Sequence, residues 1–398
     1  MDKVSRRVAM IQACIVIGLV SSYFITIATI QTPPDYLPDR IARSDRKGAM
    51  FGYVFLPWET LMANLSVANQ YMDLVAECLD FCIVHCQWSV CGKSNDTLNL
   101  NYLENLSLFI AGLYTRGVQV VIHVWTSSYS PAWLYPFVPE LIGKGDRWQG
   151  IDPATTNATL LQHRQVLKWS IVHYQQLLCQ YFIGKGLGNA ILGYCLDDEP
   201  QSEYWMDFFH DLTVAIHVVN SSWETMAMIN RVDKYHMTGD AEMDVNGMDP
   251  YDQDGTFIDK ITYAYQVSGV NKLFVLIDAM GGQDDAVFHA KMRRQAWIAW
   301  FMGADAIGWY TFLYSNDQWA CALNRWSQQL GPGITAKTIA ANETASDVRL
   351  LNQAYKKIAA SSNETARSAW TAKLLEAYAQ AKFNRFTKAR ALVQEVLS

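Results

Sequence analysis

The chain of 398 residues is 51% hydrophobic and 18% charged, with a net charge of −6. So much apolar surface excludes a disordered protein, and the lack of a Lys/Arg-rich block removes the electrostatic footprint of a nucleic-acid binder. The length suits two or three small domains or a single (β/α)8 barrel with additions, while 14 Trp and 20 Tyr supply either core volume or a groove lined with stacking rings.

Residues 8–30 (VAMIQACIVIGLVSSYFITIATI) carry no charge, follow Lys3, Arg6 and Arg7, and precede Asp35 and Asp39. A helix of that length rises about 34 Å, enough to cross hydrocarbon. The basic flank stays cytoplasmic, which sends the rest of the chain outside. Residues 1–31 are therefore read as a signal anchor, or as a signal peptide cut near Ala28. Asn-x-Ser/Thr sequons at Asn64, Asn95, Asn105, Asn157, Asn220, Asn342 and Asn363 fit an extracytoplasmic glycoprotein. Eight cysteines, among them Cys78, Cys82, Cys86 and Cys91, allow one or two disulfides but lack zinc-site spacing.

A Pro-containing linker (32–47) leads into alternating strand and helix patterns. Strands are predicted at 50–58, 79–88, 118–125, 190–196, 224–230, 243–248, 272–277 and 306–312, and helices at 61–78, 100–116, 162–182, 206–219, 259–267 and 288–302. Short apolar strands alternating with helices imply a parallel sheet, and eight units close a barrel. A doubly wound sheet is the alternative, but no Gly-rich phosphate loop follows the first strand. The expected class is α/β: a (β/α)8 TIM barrel over 48–334, an N-terminal signal-anchor helix, and a C-terminal helical extension over 335–398 that either packs on the barrel or forms a small domain of its own.

A barrel's active face collects the C-terminal ends of its strands. Those ends carry Trp58, then His85 and Trp88, then His123 and Trp125, then Asp197-Asp198-Glu199, then Asp249 and Tyr251, then Asp278, and last Trp309 and Tyr310. Aromatic faces stack on sugar rings, and Asp, Asn and His bond sugar hydroxyls. Cleaving a glycosidic bond needs two carboxyl groups, one to protonate the leaving oxygen and one to attack or to activate water. The run LDDEP is the sharpest signal, because three adjacent acids after an apolar strand raise at least one pKa. Strand alternation puts Asp197 and Glu199 on one face and Asp198 on the other. The competing reading is an acidic loop that caps a helix. His85 and His123 are either hydroxyl donors or core histidines, the latter preferred for His85. No metal is expected, since there is no His-x-His on the first strand, nor any cofactor, and the lack of a Gly-x-Ser-x-Gly elbow excludes a nucleophilic serine.

The segments GYVFLPW, QVVIHVWTSSYSPAWL, AILGYCLDDEP, MDVNGMDPYD and RRQAWIAWFMGADAIGWYTF, spread over 48–332, resemble clan-A-like glycoside hydrolase barrels. The resemblance implies that Glu199 is the acid/base, with Asp198 in place of the usual preceding Asn. It also implies a strand-seven Glu as nucleophile, where this chain has Asp278. Asp249 is the reserve second carboxylate. Asp198, Asp249, Tyr251, Trp58, Trp88, His123, Trp125, Trp309 and Tyr310 are the expected sugar-binding set. The expected function is a glycoside hydrolase acting on an extracellular or cell-surface glycan. The alternatives are a carbohydrate-binding barrel without catalysis and a cell-surface interaction protein.

Overall fold

The computed structural model describes residues 49–56, 62–63, 65–94, 97–127, 130–144, 148–250, 254–270, 272–279, 285–310 and 336–398. The apolar segment 8–30, Trp58, Tyr251, Cys14 and Cys321 lie outside these residues. Among the described residues no helix is long and apolar enough to cross a membrane. Two compact units divide the chain, one of Asp45–Asn352 and one containing Gln353–Ser398.

The first unit is a closed barrel of eight parallel strands: β1 (Met50–Leu56), β2 (Phe81–His85), β3 (Gln119–His123), β4 (Ile191–Asp198), β5 (Glu224–Ile229), β6 (Val245–Met248), β7 (Lys272–Asp278) and β8 (Ala306–Tyr310), with β8 pairing back onto β1. Every predicted strand is present. Each is a short run of β-branched, aromatic and other apolar residues whose backbone partners lie on its two neighbours. Phe81, Ile83, Val121, Met228, Phe274 and Leu276 fill the interior. The alternate positions Cys82 and Val84 are equally buried, on the opposite face of the strand.

The connecting helices are α1 (Leu65–Cys78), α2 (Leu100–Tyr114), α3 (Ala158–Gly184), α4 (Met206–Val219), α5 (Asp254–Val267) and α6 (Ala286–Phe301). After β5 a single 3-10 turn, Val232–Lys234, and a four-residue α-helix, Met237–Asp240, take the place of a full helix. The next helix among the described residues is α7 (Ala336–Ala360), which starts in the barrel unit. Its Asn352 side chain accepts from the Ala49 amide (2.9 Å) and donates to the Ala49 carbonyl (2.7 Å), and Trp300 Nε1 donates to the same Asn352 oxygen (2.8 Å). Asp347, fully buried, accepts from Arg293 Nε (2.6 Å) and Trp297 Nε1 (2.8 Å). Asp347→Ala leaves Arg293 with Glu343 as its carboxylate partner and removes the acceptor of Trp297 Nε1, and is expected to lower stability by about 2–3 kcal/mol. Chemical denaturation of the variant measures that loss.

Acids at the start of the strands are structural. Asp80, Asp244 and Asp305 each precede a strand and accept from an amide of the strand beside it: Phe51 N (2.8 Å), Thr225 N (2.8 Å) and Leu273 N (3.0 Å). A cavity of about 100 Å³ at this end is lined by Met50, Leu192, Met226, Val245, Leu273 and Ala306. It lies at the opposite end of the strands from the predicted site, on the face where barrel residues serve stability.

In the second unit α8 (Glu364–Lys382) and α9 (Phe386–Leu397) bury Leu374, Ala377, Tyr378 and Ala381 together with Ala389, Leu392, Val393 and Val396. Lys357 donates to the Leu397 carbonyl (2.9 Å), and its ammonium lies 4.8 Å from the Trp370 ring centroid.

Three of the sequon asparagines have local structural work. Asn157 caps α3 by accepting from the Thr159 and Leu160 amides, Asn363 caps α8 by accepting from the Ala366 amide, and Asn220 accepts from Ser222. Capping therefore accounts for asparagine at these positions without a glycan. The six described cysteines are buried thiols, and Cys86 and Cys91 Sγ approach to 3.3 Å.

Candidate active site

The run Leu196–Pro200 does not continue the regular strand. Cys195 pairs with Met226 and Asp198 with Met228, so β4 spends three residues where β5 spends two. This bulge re-aims the side chains that follow it. Asp197 turns into a fully buried position, where it accepts from the amides of Ser127 (3.3 Å) and Asp198 (3.0 Å). Asp198 instead joins Glu199. The alternation expected from an unbroken strand, with Asp197 and Glu199 on one face, is thus overturned by one inserted residue.

Glu199 stands just past the strand end with φ 54, a left-handed backbone that costs a non-glycine residue about 1 kcal/mol or more. Two bonds hold it there: its amide donates to the Met228 carbonyl (2.8 Å), and its carbonyl accepts from Gln201 Nε2 (2.7 Å). Trp125, just past the end of β3, has the same backbone with φ 55. Local strain of this kind, held by surrounding bonds, concentrates where a side chain must be aimed.

Four carboxyl groups, those of Asp198, Glu199, Asp249 and Asp278, converge on this mouth, with Asp197 buried beside Asp198. Burial pushes the Asp198 carboxyl well up from the usual range, and the charges of Glu199 and Asp197 add to it. Asp249, after β6, is raised by burial and then by the charges of Glu199 and Asp198; Lys260 acts the other way. Asp197 rises to about 7 through burial, against its bonds to Ser127 and Asp198. Asp278 closes β7, paired in register with Tyr310 of β8. The Tyr310 hydroxyl is pushed up to about 12 by burial and then by the charges of Asp198, Glu199, Asp249 and Asp278. Tyr310 thus lies in the field of carboxyls from β4, β6 and β7. A protonated Asp198 also offers one donor and one acceptor, as an Asn does, which reconciles it with the Asn that the resemblance implies at this place.

The aromatic set divides. Tyr310 is partly exposed and its base packs on the barrel interior, and Trp125 is partly exposed over His85 (ring centroids 5.3 Å, interplanar 19°). Trp309 is different. It is fully buried on the other face of β8, edge-on to Phe51 at 5.4 Å. Trp88 is buried against Tyr174 (6.3 Å). Neither ring offers a surface to a sugar, which corrects the expected platform. Adjacent strand residues point to opposite faces, so Trp309 and Tyr310 could not both face the mouth.

His123 is also corrected. It is fully buried, and its Nδ1 lies 3.1 Å from Nδ1 of His85, its register partner across the β2–β3 pair. One nitrogen must donate and the other accept. Burial pulls His85 down to about 3, and burial plus the neighbouring ring pulls His123 well below its ordinary value. Both are neutral where an unfolded histidine, near 6.5, is protonated. The unfolded chain therefore binds protons that the fold excludes, and this contribution to stability falls as pH drops from 6.5 toward 3. The raised Asp197 works in the opposite sense between 4 and 7, so the variant difference isolates the histidine. His85→Phe is expected to reduce the pH slope of unfolding free energy in that window by about 1.4 kcal/mol per pH unit relative to wild type, read from urea titrations at several pH values.

Among the described residues no group of three or more His, Cys, Asp or Glu is arranged to hold a metal ion.

No family model matches the sequence, and no curated protein matches it. Solved structures do match in fold. A GH5_18 protein of Bifidobacterium longum subsp. longum, in complex with Manβ1-4GlcNAc, superposes with a TM-score of 0.51 at 10% identity, covering 76% of this chain and 78% of that one. The shared fold is the (β/α)8 barrel. An exo-β-1,4-mannosidase of Opitutaceae bacterium strain TAV5 gives 0.52 at 12% identity over 76% of this chain and 60% of its own. A β-galactosidase of the psychrophilic Marinomonas ef1 gives 0.55 at 10% over 77% and 60%. At such identities the likeness establishes architecture, and chemistry has to be argued from the side chains.

Proposed function

We propose that the chain is a glycoside hydrolase that uses Glu199 as general acid/base and Asp278 as nucleophile or general base. The observation that carries this reading is the position of Tyr310 within the field of Asp198, Glu199, Asp249 and Asp278 at once. Carboxyls from β4 and β7 share one mouth, as two-carboxylate glycoside cleavage requires. Glu199 protonates the leaving oxygen while Asp278 attacks the anomeric carbon or activates water, and Trp125 and Tyr310 offer ring faces to the sugar. The bound Manβ1-4GlcNAc and the mannosidase and galactosidase activities among the structural neighbours make β-mannosides and β-galactosides the first substrates to try. The substrate is a glycan outside the cytoplasm, a reading that rests on the apolar segment 8–30 and the seven sequons. If uncleaved, that segment anchors the protein to the membrane.

A carbohydrate-binding barrel without turnover is the second reading, favoured by the aspartate, one methylene short, that closes β7. Residues 33–398 assayed against a panel of aryl glycosides and oligosaccharides decide between the two. Turnover supports the hydrolase, binding without turnover the second reading, and neither overturns both.

A further inference from the structure

Two strand ends at the mouth share one arrangement. Asp249 follows β6, and Lys260 of α5 donates a hydrogen bond to the carbonyl of the next residue, Pro250 (3.4 Å). Asp278 closes β7, and Lys337, in the first turn of α7, donates to the carbonyl of the next residue, Ala279. Each ammonium sits one peptide beyond a carboxyl and acts on it, Lys260 on Asp249 and Lys337 on Asp278. The surroundings differ. Asp249 also faces the carboxyls of Glu199 and Asp198, which outweigh Lys260. Lys337 is fully buried, and the charge acting on it is that of Asp278. Ala279, buried as well, donates its amide to the Tyr310 carbonyl, so Lys337 grips the peptide that joins the ends of β7 and β8.

A fully buried ammonium costs several kcal/mol unless a charge offsets it, and an apolar side chain would fill the same space without that cost. We propose that Lys337 is a positioning residue for Asp278: its buried ammonium, fixed on the Ala279 carbonyl, holds the end of β7 and the carboxyl beside it in place at the mouth, for the reaction in which Asp278 attacks or acts as base. The role rests on the glycosidase reading. Among the described residues the titratable group nearest the pair in the sheet is Tyr310 on β8, the register partner of Asp278, on which Asp198, Glu199 and Asp249 also act. Burial lowers Lys337 to about 7, and Asp278 works against that fall. The ammonium is thus present below pH 7 and lost above it.

Two experiments test this. In the first, the titration of Lys337 is followed by carbon-13 NMR of lysine labelled at Cε, its resonance assigned by its absence from Lys337→Gln. A midpoint near 7 in the wild type and a lower one in Asp278→Asn are expected. The shift between the two proteins reads the interaction of the Lys337 ammonium with the Asp278 carboxylate directly. An unchanged midpoint in Asp278→Asn overturns the pairing, and this arm needs no turnover. In the second, kcat of wild type is divided by kcat of Lys337→Gln, which keeps a donor for the Ala279 carbonyl but has no charge, across pH 5–9 on an aryl glycoside. The ratio is expected to be about tenfold near pH 6 and to fall toward one near pH 9, with KM little changed. A ratio independent of pH means a purely structural lysine and overturns the proposal. If wild type turns over no glycoside, the glycosidase reading fails on its own, while the NMR arm still decides the Lys337–Asp278 pair.

Discussion

Glu199→Gln is expected to lower kcat on oligosaccharides by about 10²–10⁴-fold, the usual worth of a positioned general acid, and to leave the thermal unfolding midpoint nearly unchanged. The amide matches the carboxyl in shape. The two bonds that hold this residue run through its backbone, to Met228 and from Gln201, and so survive the change. What disappears is the transferable proton. Aryl glycosides with acidic leaving groups need less protonation and should lose less, so the ratio between the two substrate classes separates a lost acid from a distorted site. Asp198→Asn is the control. Burial and the charges of Glu199 and Asp197 raise Asp198 and favour its protonated form, which an amide imitates, so the loss should be far smaller. Equal losses in the two variants, or unchanged turnover in Glu199→Gln, would remove Glu199 from the acid/base role.

The barrel was legible because it depends on averages. Eight apolar runs separated by helical periods tolerate errors of a few residues at each end, as at β2, predicted over 79–88 and observed over Phe81–His85. The site depends on single-residue phase. Trp309 and Tyr310 are neighbours in sequence and sit on opposite faces of β8; counting positions by two from Ala306 puts Tyr310, not Trp309, with the interior. The β4 bulge had no local signal, because Leu196, Asp197 and Asp198 could continue a strand, and the extra residue is visible only against β5. The pairing of His85 with His123 was available, since both close adjacent strands. Lys337 was not. It is one lysine at the start of an alanine-rich helix, and only the fold brings it to the peptide beyond Asp278.

Asp278→Asn is expected to lose turnover on the order of 10⁴-fold or more, as enzymes do when their nucleophile or its base is removed, while Asp249→Asn keeps most of it. Both residues close strands at the mouth, both have a lysine one peptide away, and sequence alone left Asp249 as the reserve. Their company distinguishes them. Asp249 is raised well above its ordinary value, first by burial and then by the charge of Glu199, against the weaker pull of Lys260, which favours its protonated form. A protonated carboxyl can neither attack an anomeric carbon nor take a proton from water, and an amide imitates it well. Asp278 has the Lys337 ammonium as its neighbour and lies across the register pair from Tyr310. The greater loss in Asp249→Asn would move the second carboxyl to β6. The shorter side chain of Asp278 then bears on stereochemistry. Carboxyls about 5–5.5 Å apart give retention, and about 6.5–9.5 Å leave room for a water and give inversion. An aspartate where a glutamate is usual lengthens the gap from Glu199 unless β7 moves inward, and Lys337, gripping the Ala279 carbonyl, opposes that movement. Proton NMR of the first sugar released reads the anomer directly, and the inverted product is the expected one.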